Sequence, residues 1–209
     1  MSELARLAEM SAMERELRRL GFRMIAGTDE VGRGCLAGPV VAAAVILDDE
    51  TVLGVKDSKD LRPEVRLPIF RNVLRSARSV SVSVVDAGTI DRINILEASK
   101  LAMKRAVCQL DVRPEVIVTD AVPIETLDAV QLPVIRGDAR IVSVAAASIV
   151  AKVYRDLLMD SYHECYPEYD FSHNRGYATE SHRQALTEWG LSPIHRRSFE
   201  TRTSGTLFD

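Results

Sequence analysis

The chain has 209 residues, a formal net charge of -3, 46% hydrophobic and 27% charged residues. That length suits one domain with a small appendage, and the negative balance argues against a protein that coats nucleic acid indiscriminately, while leaving room for a local basic patch. No apolar run is long enough to span a bilayer, and "MSELARLAEMSAMERELRRLGF" carries acids among its apolar positions, so no secretory leader is expected and the chain reads as cytoplasmic.

Leu4, Leu7, Met10, Met13, Leu17 and Leu20 recur at three- and four-residue steps, which predicts an amphipathic helix ending near Gly21. "RMIAGTD" and "PVVAAAVIL" read as strands on either side of a glycine-rich stretch, and "SVSVSVVD", alternating Val80, Val82 and Val84 with serine, reads as a third. "RPEVRLPIFRNVLRSA" has helical periodicity, but Pro68 lacks the N–H an interior turn needs, so the helix is expected to kink there or start late. Asn94 followed by Glu97 resembles a capping box that opens a helix over "ILEASKLAMKRAVCQL".

"EVIVTD" and "LPVIRGD" are short β-branched runs that each lead to an aspartate, and "SVAAASIVAKVYRDLLMDSYHECY" reads as a long helix. Beyond Pro167 come a polar loop, a short helix from about Thr179 to Trp189 and a basic "HRRSF". The order is that of a mixed α/β domain over residues 1–165, with a C-terminal helical extension and tail over 166–209. Cys35, Cys108 and Cys165 are far apart and form no C-x-x-C, so free thiols are expected rather than disulfides or structural zinc.

Chemistry concentrates in acids at strand ends: Asp29 after "MIAGT", with Glu30 beside it, Asp120 after "VIVT", and Asp138 just after "PVIRG". In α/β sheets sites form outside strand ends, so acids distant in sequence can converge. Adjacent carboxylates repel unless a cation neutralises them, and an all-oxygen set suits Mg²⁺ or Mn²⁺ better than zinc. Neighbours in a strand face opposite ways, so Asp29 and Glu30 can share a metal site only if the chain curls at its exit, which Gly32 and Gly34 permit.

The residues then carry a resemblance. "DEVGRG", "DSK", "NILEAS", the strand ending at Asp120, "GDARI", "AAASIVAKVYRD", "RGYAT" and "HRRSF", in this order from about residue 22 to 200, resemble the ribonuclease HII (type 2 ribonuclease H) family. The resemblance implies a ribonuclease-H-like five-stranded mixed sheet flanked by helices, its second strand antiparallel. It implies a metal-dependent endoribonuclease that cuts the RNA strand of RNA–DNA hybrids and ribonucleotides embedded in duplex DNA; separately from the resemblance, a monomer is expected. Cutting falls on the 5′ side of the RNA–DNA junction and leaves 3′-OH and 5′-phosphate ends, with two Mg²⁺ or Mn²⁺ ions held by Asp29, Glu30, Asp120 and Asp138. Gly32, Arg33 and Gly34 would read the ribose 2′-OH from the backbone, Lys59 would meet a phosphate, and Tyr177 would stack at the junction. Four positions depart from the family pattern: Ala121 stands where glycine is usual, Asn174 and Arg175 replace His-Lys, and Asp60 replaces a lysine.

Plainer readings compete. An isolated Asp-Glu pair is usually a solvated turn, Gly137-Asp138 could be only a turn, and Arg33 could form a structural ion pair. Asp156, inside a helix beside Arg155, reads as structural rather than as a ligand; Arg196 and Arg197 could bind phosphates or simply solvate the extension. His163, His173 and His182 read as surface or packing residues with no pairing evident. Leu207 and Phe208 match only the end of a Gln-Leu-x-Leu-Phe sliding-clamp ligand, so a plain tail is favoured over clamp binding. The alternatives to the nuclease are a non-catalytic hybrid-binding module and a related metal nuclease acting on DNA junctions.

Overall fold

A computed structural model describes residues 2–48, 63–124 and 128–199. Lys59 and Asp60, like Leu207 and Phe208, lie outside the described residues. In chain order the elements are α1 (Glu3–Met10), α2 (Ala12–Arg19), β1 (Ile25–Val31), β2 (Val40–Leu47), α3 (Pro63–Ser76), β3 (Ala77–Val85), α4 (Ala87–Ile93), α5 (Ile95–Cys108), β4 (Val116–Asp120), β5 (Val130–Val134), α6 (Gly137–Arg140), α7 (Val142–Cys165), α8 (Phe171–Asn174) and α9 (Glu180–Trp189). The strands form one five-stranded sheet in the order β3-β2-β1-β4-β5. β2 runs antiparallel to β1 and β3, whereas β1, β4 and β5 are parallel.

β2 explains why its sequence is an unbroken apolar run. Successive side chains face opposite sides of a sheet, and both sides of β2 are covered. Val41, Ala43, Val45 and Leu47 pack into the cluster formed with α3 and α7, while Val40, Ala42 and Ala44 pack against α5. α7 lies so close to β1 that a Cβ on Gly27 would stand 2.2 Å from the carbonyl carbon of Ser143. Only glycine allows that approach, which sets the start of α7 against the strand carrying Asp29.

Several expectations are corrected. The N-terminal helix is broken at Ser11, and the second segment sends buried Glu14 to accept a hydrogen bond from the Ser143 N–H at 3.0 Å. A carboxylate there satisfies an otherwise open donor and complements the positive end of α7. α3 begins at Pro63 and runs through Pro68 rather than starting after it. β5 stops at Val134, so Asp138 is not at a strand end: Arg136 turns left-handed at φ 58°, and Asp138 follows on α6. In β3 it is Ser79, Ser81 and Ser83 that are buried, and the Ser81 hydroxyl donates to the Ala106 carbonyl of α5.

The N-cap half of the expected capping box is present, while the Glu97 carboxylate pairs with Lys100. Asn94 Oδ1 accepts the N–H groups of Leu96 and Glu97, at 2.9 and 3.1 Å, and α5 starts there. Among the described residues no helix is long and apolar enough to cross a membrane.

Candidate active site

Parallel pairing of β1 with β4 brings the C-terminal ends of both strands to the same side of the sheet, with Thr28 opposite Thr119 and one acid following each. Asp29 is 6% exposed and the Glu30 side chain 7% exposed. Burial first, then the Glu30 charge, pushes the Asp29 carboxyl well above the usual carboxylate range, with a smaller push from Asp120 and an opposing hydrogen bond from the Ser148 side chain. Burial raises Glu30 as well and Asp120 adds to it, while Arg33, whose Nη1 lies 3.0 Å from Glu30 Oε1, opposes the shift. These three acids therefore occupy one electrostatic site, whose mutual repulsion Arg33 offsets only in part.

Asp138 joins through the backbone. Asp120 Oδ1 accepts the Gly137 N–H at 2.9 Å, which ties the residue before Asp138 to the end of β4, and Asp138 itself is buried. The expected curl comes at the exit of the strand, after Glu30. β1 stays paired with β2 through Val31, and the chain turns only at Gly32, whose φ is 94°.

The donor set fits a hard divalent cation on two grounds. All its ligating atoms are carboxylate oxygens, and Glu30 Oε2 is buried with no hydrogen-bond partner, an arrangement that costs free energy unless a cation or proton meets it. Among the described residues no group of three His, Cys, Asp or Glu side chains already stands arranged to hold a metal ion.

The loop that follows β1 is held by two buried arginines that the sequence reading did not assign to it. Arg196, read from sequence as a phosphate contact or a solvating residue, is neither. It is wholly buried, and its guanidinium donates to the carbonyls of Gly32 (2.6 Å), Arg33 (2.8 Å) and Gly38 (3.0 Å). Arg155, also wholly buried, donates to Ala37 (3.1 Å), Pro39 (3.0 Å) and Arg175 (2.8 Å). Burial pulls the Arg196 guanidinium down to about 10, which leaves it charged at neutral pH.

Tyr177 is 42% exposed, and burial first, then the neighbouring Cys35 side chain, pushes its hydroxyl above the usual tyrosine range. Arg33 takes the ion-pair alternative with Glu30. Asp156 accepts from Arg66 Nη1 at 3.0 Å and from Lys152, a packed network. His182 is a packing residue, as expected, but it forms a histidine pair that the sequence does not show. His182 Nε2 and His195 Nε2 lie 2.9 Å apart, buried among Tyr169 and Phe171, and burial holds both rings below the usual histidine range, His195 at about 4. Thirteen residues separate the two rings, so no sequence spacing announces the pair.

Two of the departures are absorbed. Asn174 donates to the Tyr169 carbonyl and accepts the Gly176 N–H, and Arg175 pairs with Asp160. Ala121 is not absorbed: it sits at φ 58°, the left-handed region a glycine would occupy without strain.

A mixed sheet in this order, with acids gathered where its central parallel strands end, defines a nuclease of the ribonuclease H class. The family model described as Ribonuclease HII matches residues 26–202, and the chain belongs to that family; it is an endoribonuclease acting on RNA–DNA hybrids. It is 54% identical over 178 residues to Ribonuclease HII of Lactobacillus johnsonii, covering 85% of this chain and 71% of that one. Against Ribonuclease HII of Listeria monocytogenes it is 48% identical over 195 residues, covering 93% of this chain and 74% of the other. Among solved structures, ribonuclease H2 from Pyrococcus horikoshii superposes with a TM-score of 0.71 at 28% identity, over 85% of this chain and 94% of that one. The PCNA:RNase HII complex from Archaeoglobus fulgidus gives 0.74 at 28% identity, over 88% and 98%.

Proposed function

We propose that this endoribonuclease is metal-dependent, that Asp29, Glu30, Asp120 and Asp138 hold divalent Mg²⁺ or Mn²⁺, and that it also cuts single ribonucleotides embedded in duplex DNA. The observation that carries this is the buried, mutually repelling acid cluster with one orphaned carboxylate oxygen. Divalent cations there supply the positive charge that in-line displacement at phosphorus requires. A structure of Bst-RNase HIII solved in complex with Mn²⁺ shares the fold, with a TM-score of 0.67.

The protein's own residues supply the remaining tasks. The exposed backbone of Arg33 and Gly34 meets the ribose 2′-OH, which distinguishes RNA from DNA whatever the base. Tyr177, half exposed, stacks on the sugar that follows, and Lys59 contacts a phosphate. The His182–His195 pair is buried and neutral, so it cannot help a 2′-OH attack its own phosphate. Water is therefore the nucleophile, cutting falls on the 5′ side of the RNA–DNA junction, and the ends are 3′-OH and 5′-phosphate. Residues 166–209 act as an extension that completes the substrate face of a core spanning 1–165, and the protein works as a monomer.

The test is a gel assay on duplex DNA carrying one ribonucleotide, with and without Mg²⁺, with the ends identified by mass spectrometry. Cutting only with metal, leaving 3′-OH ends, is expected; cyclic phosphate ends would overturn the mechanism. A clamp-type partner for the tail is supported by the Archaeoglobus fulgidus complex with PCNA and by Leu207-Phe208. Clamp pull-down that survives deletion of the last five residues would remove it.

A further inference from the structure

Two wholly buried arginines spend their hydrogen bonds on main-chain carbonyls. Arg196 and Arg155 between them take the carbonyls of Gly32, Arg33, Ala37, Gly38, Pro39 and Arg175, and no carboxylate is among these acceptors. Burying a guanidinium is costly, and a fork of fixed N–H directions recovers that cost only where acceptors are already placed to match it. So rigid a fixture is more than a strand-to-strand connection needs.

The geometry of the peptide unit shows what it does. The described peptide bonds are all trans, and in a trans peptide the N–H points opposite to the C=O of the same unit. Arg196 draws the carbonyls of Gly32 and Arg33 inward, so the N–H groups of Arg33 and Gly34, which share those peptide units, are turned outward. Both residues are exposed, and among the described residues no acceptor takes either N–H. Arg155 guards the same turn: a Cβ on Gly32 would stand 2.3 Å from its Nε. The far side of the loop is fixed by the backbone, since Arg196 N–H donates to Leu36 O at 2.9 Å and Leu36 N–H to Gly176 O at 2.8 Å.

We infer that Arg196, seconded by Arg155, is a positioning residue for ribose discrimination: it holds two backbone donors pointed at the substrate without touching the substrate itself. This rests on the reading that the Gly32–Gly34 backbone meets the 2′-OH. A lysine keeps the charge but presents one ammonium in place of a fork, so it cannot orient two successive peptides.

The experiment measures binding by fluorescence anisotropy in EDTA, where no cutting occurs, for two duplexes that differ only in one 2′-OH. The wild type, Arg196→Lys and Arg155→Lys are compared at a temperature where each variant retains native circular dichroism and a cooperative melt. In the wild type the ribonucleotide duplex binds more tightly. In Arg196→Lys that preference falls roughly tenfold, the worth of one well-placed hydrogen bond, while affinity for the all-DNA duplex holds. A merely structural role would weaken both duplexes alike.

The failures are distinct. No preference in the wild type overturns the ribose-reading role of the loop itself. A wild-type preference retained in full by folded Arg196→Lys overturns the positioning role alone. If neither lysine variant folds, the arginines serve the fold rather than the display, and the inference is overturned as well.

Discussion

Asp156→Asn separates the acid that looks catalytic from those that are proposed to be. Asp156 shares α7 with Arg155 and sits in a network whose side chains are mostly buried: 17% exposed for Asp156, 9% for Arg66 and 15% for Lys152. At that burial solvent screens little, so the surface value for an ion pair does not apply. The substitution keeps the shape, removes the negative charge facing two cations, and places an amide N–H₂ where one of them donated. Losing two charge-assisted hydrogen bonds while asparagine retains one acceptor costs about 2–3 kcal/mol. For a chain of this size that lowers Tm by roughly 5–10 °C. The assay is thermal melting with and without Mg²⁺, beside cleavage of a one-ribonucleotide duplex well below the new Tm. The expected variant melts early, still gains stability from Mg²⁺ and still cuts. A variant with wild-type Tm that neither responds to Mg²⁺ nor cuts would show that Asp156 is a ligand and that the reasoning from burial is wrong.

Asp29→Asn or Asp120→Asn should abolish cleavage yet leave hybrid binding largely intact, and near-wild-type turnover by either would sink the metal assignment. Because the Asp29 carboxyl is raised in the fold, the folded state holds a proton that the unfolded chain releases, so metal-free stability falls as pH rises from the ordinary aspartate value through the folded one. Asp29→Asn in EDTA should therefore melt above the wild type at pH 7 and lose that advantage at acid pH; the opposite order would contradict the burial argument. Tyr177→Ala should weaken cutting at a single embedded ribonucleotide more than within a long hybrid, with stacking of about 1–3 kcal/mol predicting roughly a ten- to hundredfold change in the ratio of kcat/KM values. Ala121→Gly should raise stability by about 0.5–1 kcal/mol by relieving the left-handed strain, less the added freedom of the unfolded chain, and a lowered Tm would mean the alanine methyl packs usefully.

What could be read from the sequence was what depends on neighbours in the chain. The strands declared themselves by β-branched runs, α5 by Asn94 and Glu97, and the acids by following strands whose parallel order makes their ends coincide. Asp138 was expected close behind a strand and lies on a helix instead, since nothing in "VIRGD" shows that Arg136 turns left-handed and starts one. Arg196 and the His182–His195 pair were misread for one reason: their partners lie in another part of the chain, and a side chain's burial is decided by what folds over it. A weak signal existed for Arg155, a cation in the middle of an alanine-rich helix that would otherwise suit full burial.

The loop that carries Gly32 and the arginine that grips it are separated by 164 positions. During synthesis the sheet strands and α7 emerge first, and the loop waits for nearly the whole chain to leave the ribosome before Arg196 can reach it. A product ending ahead of that residue would possess the acids but not the guanidinium that holds the Gly32 and Arg33 carbonyls. The fastening of this loop is thus a contact of high sequence separation, slow to close and dependent on the helical extension having folded back onto the exit of the first strand.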